Sequence, residues 1–247
     1  TLETLEISEN TIVIFLTDNG PNGRRYNGDM RRWKGSVHEG GVRVPCFIKY
    51  SQLPENQEIK EIAAHFDLLP TLAELCEIPL PKDLNLDGRS LVPLLKNQKT
   101  SWQPRSIYSI NSNGKDRPYP ASARTQTHRM VIDRDSVFHL YDMINDPSET
   151  TDLAEEMPDL LDVFKSEFKV WYADVTKNGT SQPPIPVGYA ESPNVNLPAP
   201  ESKLTQNAKF QGGWGWANDY VVDWKDVGDE ATWEVNIQEA GEYEIAL

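Results

Sequence analysis

Hydrophobic positions divide the chain into stretches with different periodicities. Residues 11–17 form a continuous apolar and β-branched run that ends at Asp18-Asn19-Gly20. Such a run predicts a fully buried strand, typical of a parallel sheet that helices cover on both faces. Residues 42–50 predict a second buried strand. The first part of the chain is therefore expected to be α/β.

Helical spacing follows in residues 62–75, although Pro70 interrupts it. We expect the helix to begin at residue 68 or 69, with Asp67 as N-cap and Pro70 in the first turn. Residues 91–95 predict a short apolar helix.

Four short strand-like segments predict a small antiparallel sheet over residues 105–110, 121–124, 128–133 and 137–141. An amphipathic pattern over residues 158–176 then predicts a helix with one apolar stripe. We expect this helix to lie on the sheet, because each element needs a partner for its apolar face.

The tail of the chain has a different texture. Residues 179–200 contain six prolines and predict an extended linker. Residues 201–247 alternate in short, aromatic-rich strands and predict a truncated, carbohydrate-binding-like β-sandwich. Trp214 or Trp216 could stack on sugar rings there, and the alternative is that both are buried core residues.

Composition excludes several classes of protein. The 247 residues are 38% hydrophobic and 25% charged, as in an ordinary globular protein, and the formal net charge is −14. This charge argues against binding to nucleic acid or to anionic membranes. No stretch approaches the 18 apolar residues of a membrane span. The only cysteines, Cys46 and Cys76, lie in apolar contexts and are expected to be buried rather than metal-bound.

Asp18 and Asn19 follow directly after the first predicted strand. Ligands of open α/β sheets bind at the carboxyl ends of the strands. A carboxylate beside a carboxamide oxygen suits Ca²⁺ or Mg²⁺ better than zinc. The alternative is a strand-ending turn, which the same residues commonly form. Since calcium takes roughly 6–8 oxygens, further ligands would have to come from elsewhere.

A basic stretch follows this pair in an otherwise acidic chain. Residues 21–50 have a local net charge of +5 and are rich in glycine, which lets a compact anion come close to the backbone. The alternative is an ordinary solvated surface. Lys34 offers a point charge with three donors, able to touch more than one oxygen of an ester.

These residues resemble the type I, formylglycine-dependent sulfatases of the alkaline-phosphatase superfamily. Asp18-Asn19-Gly20 and the block over residues 26–45 carry most of the resemblance, which continues in residues 65–72, 86–91 and 140–154. It implies an α/β fold: the C-terminal part of an alkaline-phosphatase-like sandwich with a small antiparallel sheet and helix, before the β-sandwich module. The expected domains are residues 1–104, 105–178, 179–200 and 201–247.

The resemblance also implies roles for individual residues. Asp18 and Asn19 match a pair of calcium ligands, and Lys34 matches the catalytic lysine that holds the sulfate. The family's nucleophile is a formylglycine made from Cys or Ser in the pattern Cys/Ser-x-Pro/Ala-x-Arg, which neither cysteine here fits. We therefore expect the chain to be the latter half of a longer enzyme, inactive alone, with the nucleophile upstream.

Three further side chains are candidates for substrate binding: His38, Arg24 and Arg25. For His38 the alternative is a structural role. Glu39 and Arg43 are expected to pair and to fix the loop, whereas His65 is expected in the core because its neighbours are apolar.

The function that these residues predict is hydrolysis of a sulfate monoester, acting on a sulfated small molecule or glycan, with Ca²⁺ and formylglycine as cofactors. One alternative is a phosphoester or phosphonate hydrolase of the same superfamily. Another is a non-catalytic sugar-binding protein on a sulfatase scaffold. The resemblance and the glycan-type tail favour a periplasmic or secreted location.

Overall fold

The structure, a computed structural model, describes residues 1–98, 102–111, 117–180, 183–213 and 215–246. The chain divides into two compact units, Thr1–Asn178 and Gly179–Leu247. Each unit has its own arrangement of strands, and the first contains all four α-helices of the described residues.

The first unit begins with two strands, β1 (Val13–Leu16) and β2 (Cys46–Lys49), which pair antiparallel. The prediction of a fully buried parallel strand is wrong for β1, because Phe15 and, opposite it, Phe47 are 60% and 65% exposed. A continuous apolar run does not reveal whether both faces of a strand are covered. Here one face of the two-stranded pair has no cover among the described residues.

The first unit also contains three short helices. α1 (Glu39–Val42) lies between β1 and β2, and α2 (Leu68–Leu75) and α3 (Val92–Leu95) follow β2. Asp67 occupies the predicted N-cap position of α2 but makes no capping hydrogen bond to that helix. Its carboxylate instead accepts from the backbone N–H groups of Ala64 and Arg89 and from the guanidinium of Arg105.

Both cysteines are exposed free thiols, so the prediction that they are buried is wrong. Cys76 lies at the C-cap of α2, where the helix meets solvent. Cys46 begins β2 at the edge of a two-stranded pair.

The predicted antiparallel sheet is confirmed. It consists of β3 (Ile107–Ile110), β4 (Ala121–Arg124), β5 (His128–Ile132) and β6 (Phe138–Asp142) in sequential order, with every pair antiparallel. The predicted amphipathic helix is confirmed as α4 (Pro158–Val175).

The two faces of this sheet carry different chemistry. The face toward α4 is apolar, and its core contains buried residues from the sheet and the helix: Ala121, Ala123, Met130, Ile132, Leu140, Leu161, Phe164 and Phe168. Because side chains alternate along a strand, Arg129 and Tyr141 lie on the opposite face. Val37 packs there against Val131, Tyr141 and Met143. The basic stretch of residues 21–50 therefore packs, through Val37, on the second face of the sheet.

The second unit contains only strands and a 3₁₀ turn, Ala199–Glu201, among its described residues. β8 (Lys203–Leu204) pairs with β11 (Ala231–Thr232), and β9 (Lys209–Phe210) pairs with β10 (Val221–Val222). These short ladders agree with the predicted all-β character.

Part of the predicted linker joins this second unit. β7 (Ile185–Val187) pairs in parallel with β12 (Val235–Ile237), so the segment is not merely extended chain. Pro186 lacks an N–H, but its neighbours hold the strand, since Ile185 N–H donates to Glu234 and Val187 C=O accepts from Gln238, each at 2.8 Å.

Of the two tryptophans considered for sugar stacking, Trp216 is 73% exposed, so the alternative of a buried core residue is wrong for it. Trp214 lies outside the described residues. Within the described ranges, no helix combines the length and apolarity that crossing a bilayer would require.

Candidate functional site

The end of β1 and the start of α1 are held together by a close backbone approach. Gly20 N–H donates to the carbonyl of Gly41 at 3.0 Å. A Cβ on Gly20 would lie 1.9 Å from the carbonyl oxygen of Gly40, so no other residue fits without moving the backbone. The loop between these glycines is therefore closed at its base, next to Asp18 and Asn19.

Lys34 lies on this closed loop. Its backbone N–H donates to the carbonyl of Pro21 at 3.0 Å, which places it alongside the segment that follows the predicted metal pair. Asn111, just after β3, donates from Nδ2 to the carbonyl of Gly35 at 2.6 Å and anchors the same point to the sheet. The Lys34 side chain is exposed and has no partner in the described part of the chain.

Asp18 and Asn19 have oxygens that are free of protein partners among the described residues. The Asp18 carboxylate is exposed, without a hydrogen bond or an ion pair there. Asn19 donates from Nδ2 to the carbonyl of Gly20 at 2.9 Å, which leaves its Oδ1 to accept from or coordinate another group. The structure thus places Asp18 and Asn19 at the base of the loop that carries Lys34, and their oxygens and its ammonium lack partners in the described part of the chain.

His65 reaches the same region, contrary to the prediction that it lies in the core. It is exposed, and its Nε2 lies 2.9 Å from the carbonyl of Thr17. Because a carbonyl only accepts, this nitrogen must carry the proton. His65 therefore fixes the end of β1 immediately before Asp18 and Asn19, a contact that its apolar sequence neighbours did not reveal.

The side chains of Arg24 and Arg25 are both exposed on the loop. Neither has a partner within the described ranges, and the neighbouring Tyr26 is 93% exposed. The structure does not bring these arginines into contact with Lys34. They remain available to a ligand larger than a single ester group.

His38, the third candidate for substrate binding, is held by a buried glutamate. Its Nδ1 lies 2.8 Å from Oε2 of Glu149, whose side chain is completely buried. Its Nε2 has no protein partner among the described residues. The structural role and the ligand-binding role of His38 are thus compatible, one for each ring nitrogen.

Glu39, the first residue of α1, enters a buried cluster of charges on the second face of the sheet. Its carboxylate pairs with Arg129 and lies 3.7 Å from Arg124, which stands directly opposite Arg129 in the sheet. The predicted contact with Arg43 is confirmed at 3.4 Å, but the Arg43 side chain is largely exposed. The buried arginines are therefore the main partners of Glu39.

The charge of this cluster is balanced because two glutamates face two arginines. Burial lowers the pKa of Arg124 to about 10, although the nearby Glu39 opposes that shift. The guanidinium still carries its charge at neutral pH. Like charges opposite each other on neighbouring strands repel, so the two carboxylates are what allows Arg124 and Arg129 to share this face.

Sequence reasoning missed three residues that hold the loop: Asn111, Arg129 and Glu149. Arg129 gave a usable signal, since a charged residue inside the apolar run of β5 needs a buried partner. Glu149 belongs to the Asp-Pro-Ser-Glu segment that contributed to the resemblance, but its partner His38 is 111 residues away in sequence. No local pattern could indicate that pairing.

A cation could be held here only in part by this chain. In the portion that the structure describes, no group of three or more His, Cys, Asp or Glu side chains could hold a metal ion. The oxygens of Asp18 and Asn19 fit a hard cation, because they lie on adjacent residues and have no partner among the described residues. They are two of the roughly 6–8 oxygens that calcium requires.

Comparison with known proteins places these features in a family. A family model described as N-sulphoglucosamine sulphohydrolase, C-terminal, matches residues 31–169, more than half of the chain. A sulfatase from Formosa agariphila is 31% identical over 166 residues, which are 62% of this chain and 30% of that protein. An N-acetylgalactosamine-6-O-sulfatase from Bacteroides thetaiotaomicron is 28% identical over 184 residues, covering 65% of this chain and 36% of that protein.

The fold agrees with solved structures of related proteins. The crystal structure of Ps i-CgsB in complex with k-i-k-neocarrahexaose matches with a TM-score of 0.60 at 24% identity, over 69% of this chain and 38% of that chain. The chain spans about a third of the length of these relatives. It has the mixed α/β architecture with antiparallel sheets of the C-terminal part of the sulfatase fold. The chain belongs to the sulfatase family, of which it represents the C-terminal portion.

Proposed function

We propose that the protein containing this chain hydrolyses sulfate monoesters, and that Lys34, Asp18 and Asn19 supply part of its sulfate site. The observation that carries this proposal is the closed loop. Two backbone hydrogen bonds of 3.0 Å, Gly20 to Gly41 and Lys34 to Pro21, close the loop that carries Lys34 directly after Asp18 and Asn19. The ammonium and the oxygens of these three side chains have no partner among the described residues. Such groups suit a divalent cation and an anionic ester that share a site.

Each residue would have a distinct task. A sulfate ester resists attack because its oxygens repel a nucleophile, and the Lys34 ammonium would neutralise one or two of them. Asp18 and Asn19 would hold calcium together with ligands from outside this chain. When bound, the ion would act as a Lewis acid toward an ester oxygen. The formylglycine nucleophile would also come from outside these residues.

We further propose that the ester belongs to a sulfated carbohydrate. The relative from Bacteroides thetaiotaomicron carries the name N-acetylgalactosamine-6-O-sulfatase, and a solved neighbour holds a neocarrahexaose. The free Nε2 of His38 would bind near the ester. Arg24 and Arg25, exposed and unpaired in the described part of the chain, would bind further hydroxyls or anionic groups of the glycan.

The first experiment compares 4-nitrophenyl sulfate with 4-nitrophenyl phosphate as substrates of the full-length protein. We expect faster hydrolysis of the sulfate, and Asp18→Asn to lower kcat/KM by about 10–100-fold and to raise the calcium concentration needed for activity. Asp29→Asn is the matched control, an exposed acid on the same loop. A preference for phosphate would indicate a phosphoester hydrolase, and inactivity toward both esters would overturn the proposal.

The second experiment tests carbohydrate recognition with the double variant Arg24→Ala and Arg25→Ala. We expect KM for a sulfated oligosaccharide to rise at least about 10-fold, since a single charge-assisted hydrogen bond contributes roughly 1.5–3 kcal/mol. KM for 4-nitrophenyl sulfate should stay the same, because that substrate is too small to reach these residues. Arg134→Ala, an exposed arginine at the turn between β5 and β6, serves as control. Equal effects on both substrates would contradict this role.

A further inference from the structure

We propose that Glu149 is a positioning residue, which fixes the orientation of His38 and the placement of the loop that carries Lys34. Its effect on catalysis rests on the proposed function, whereas its effect on the loop does not. Glu149 lies after β6, more than 100 residues from the loop in sequence. It is nevertheless the residue on which both the side chains and the backbone of the loop converge.

The Glu149 carboxylate contacts three groups, and two of them belong to the loop. Oε2 lies 2.8 Å from Nδ1 of His38, and the backbone N–H of Glu39 points between the two oxygens at 3.4 Å from each. Oε1 lies 3.2 Å from Nε of Arg129, as an ion pair without the alignment of a hydrogen bond. The carboxylate therefore bridges the sheet and the N-terminal end of α1.

The Glu149 backbone binds the other end of the same loop. Its carbonyl accepts a hydrogen bond of 2.8 Å from Nη1 of Arg31, which also donates to the hydroxyl of Tyr141 at 3.0 Å. Arg31 and His38 lie on either side of Lys34. One residue thus holds both flanks of the lysine.

Glu149 is itself held rigidly. Its backbone adopts φ +54°, a left-handed conformation that glutamate rarely takes without support. Asp146 supplies that support: its carbonyl accepts from Glu149 N–H at 3.0 Å, and its carboxylate accepts from the N–H groups of Thr150 and Thr151 at 2.7 and 2.8 Å. These bonds keep the pKa of Asp146 below its usual range although partial burial raises it. The turn presents the glutamate as a fixed anchor.

The pairing with Glu149 also determines which nitrogen His38 presents. A carboxylate accepts but does not donate, so Nδ1 carries a proton and donates it to the Glu149 carboxylate. The Nε2 atom, which has no partner among the described residues, is left for a ligand. Loss of the carboxylate would free the ring to rotate and to exchange the roles of its nitrogens. This is the arrangement expected where a ring must meet a substrate in one orientation.

Arg129 provides a second support through contacts that do not involve Glu149. It pairs with Glu39 and donates from Nη1 to the carbonyl of Val37 at 2.8 Å and to Ser122 at 3.2 Å. A side-chain variant at Glu149 keeps the backbone carbonyl that holds Arg31. It should therefore leave α1 attached to the sheet while loosening the His38 flank of Lys34. This separation allows a positioning role to be distinguished from a purely structural one.

The test compares Glu149→Gln with Glu155→Gln, an exposed acid in the following turn, in the full-length protein. Glutamine keeps the shape of the side chain but adds an N–H₂ that meets the donors of Glu39 and Arg129. We expect amide hydrogen exchange of residues 34–38 to become at least about 10-fold faster, with α4 unchanged. We expect kcat/KM for 4-nitrophenyl sulfate to fall about 10-fold, mainly through kcat.

The exchange measurement tests the positioning role, and the activity measurement tests the proposed function. Unchanged exchange in residues 34–38 would overturn the positioning role, whether or not the protein hydrolyses sulfate esters. Faster exchange throughout residues 1–178 would also overturn it, because it would show a general loss of stability. Faster exchange confined to the loop in a protein without sulfatase activity would support the positioning role and contradict the proposed function.

Discussion

Replacing Lys34 by alanine in the full-length protein should lower kcat/KM for 4-nitrophenyl sulfate by about 10²–10³-fold, the usual effect of removing one group that stabilises transition-state charge. The ammonium has no partner among the described residues, so its loss leaves no internal group unpaired. The backbone N–H of residue 34 would still donate to Pro21. We therefore expect the melting temperature to stay within experimental error while activity collapses.

The control for this variant is Lys49→Ala, which removes an exposed lysine of β2 within the same basic stretch. It should retain nearly full activity, because a distant surface charge changes only long-range attraction of the substrate. Lys34→Arg should recover little, since a planar guanidinium does not fit a site built for a compact ammonium. Comparable losses for Lys34→Ala and Lys49→Ala would show that the basic stretch acts only through its overall charge.

Elements with a clear periodicity could be predicted from the sequence. The apolar stripe of α4 and the alternation of β4 to β6 are local patterns, and local patterns survive folding when each has one buried face. For β1 the same reasoning gave the wrong environment. A run of apolar residues predicts a strand, but whether its two faces are covered depends on elements elsewhere in the chain.

The residues of the candidate site that would bind a ligand could be predicted, but the residues that hold them in place could not. Asp18, Asn19 and Lys34 lie within 17 residues of each other, and their chemistry is visible as a motif. The groups that hold them come from far along the chain: Asn111, Arg129 and Glu149 are 76 to 111 residues from their partners in the loop. A single sequence contains no signal for such pairs, because only folding brings them together.

The partners of Asp67 could not be predicted from the sequence either. Asp67→Asn should lower the free energy of unfolding by about 3–5 kcal/mol. Asp67 is fully buried and pairs through both oxygens with Arg105, whose side chain is only 6% exposed. The carboxylate also accepts from the backbone N–H groups of Ala64 and Arg89 at 2.8 and 2.9 Å. An amide would leave Arg105 as a buried, uncompensated charge. Urea unfolding followed by circular dichroism measures the loss.

The pH dependence of stability provides a second readout for Asp67→Asn. Burial raises the pKa of Asp67, but hydrogen bonds from Arg105, Arg89 and Ala64 outweigh it and hold the pKa below its ordinary value. A carboxyl whose pKa is lower in the folded state stabilises the protein fully above its unfolded pKa of about 3.9. This contribution disappears as the pH falls through the lower, folded value. The variant should therefore lose less stability than the wild type on acidification below about pH 4.

Asp83→Asn is the matched control, because Asp83 is exposed and has no partner within the described ranges. It should unfold at the same urea concentration as the wild type and follow the same acid dependence. If Asp67→Asn behaved like Asp83→Asn, the Asp67–Arg105 pair would contribute nothing net, as happens when the cost of desolvating two charges equals their attraction. The N-terminal end of α2 would then be held by the packing of its apolar residues alone.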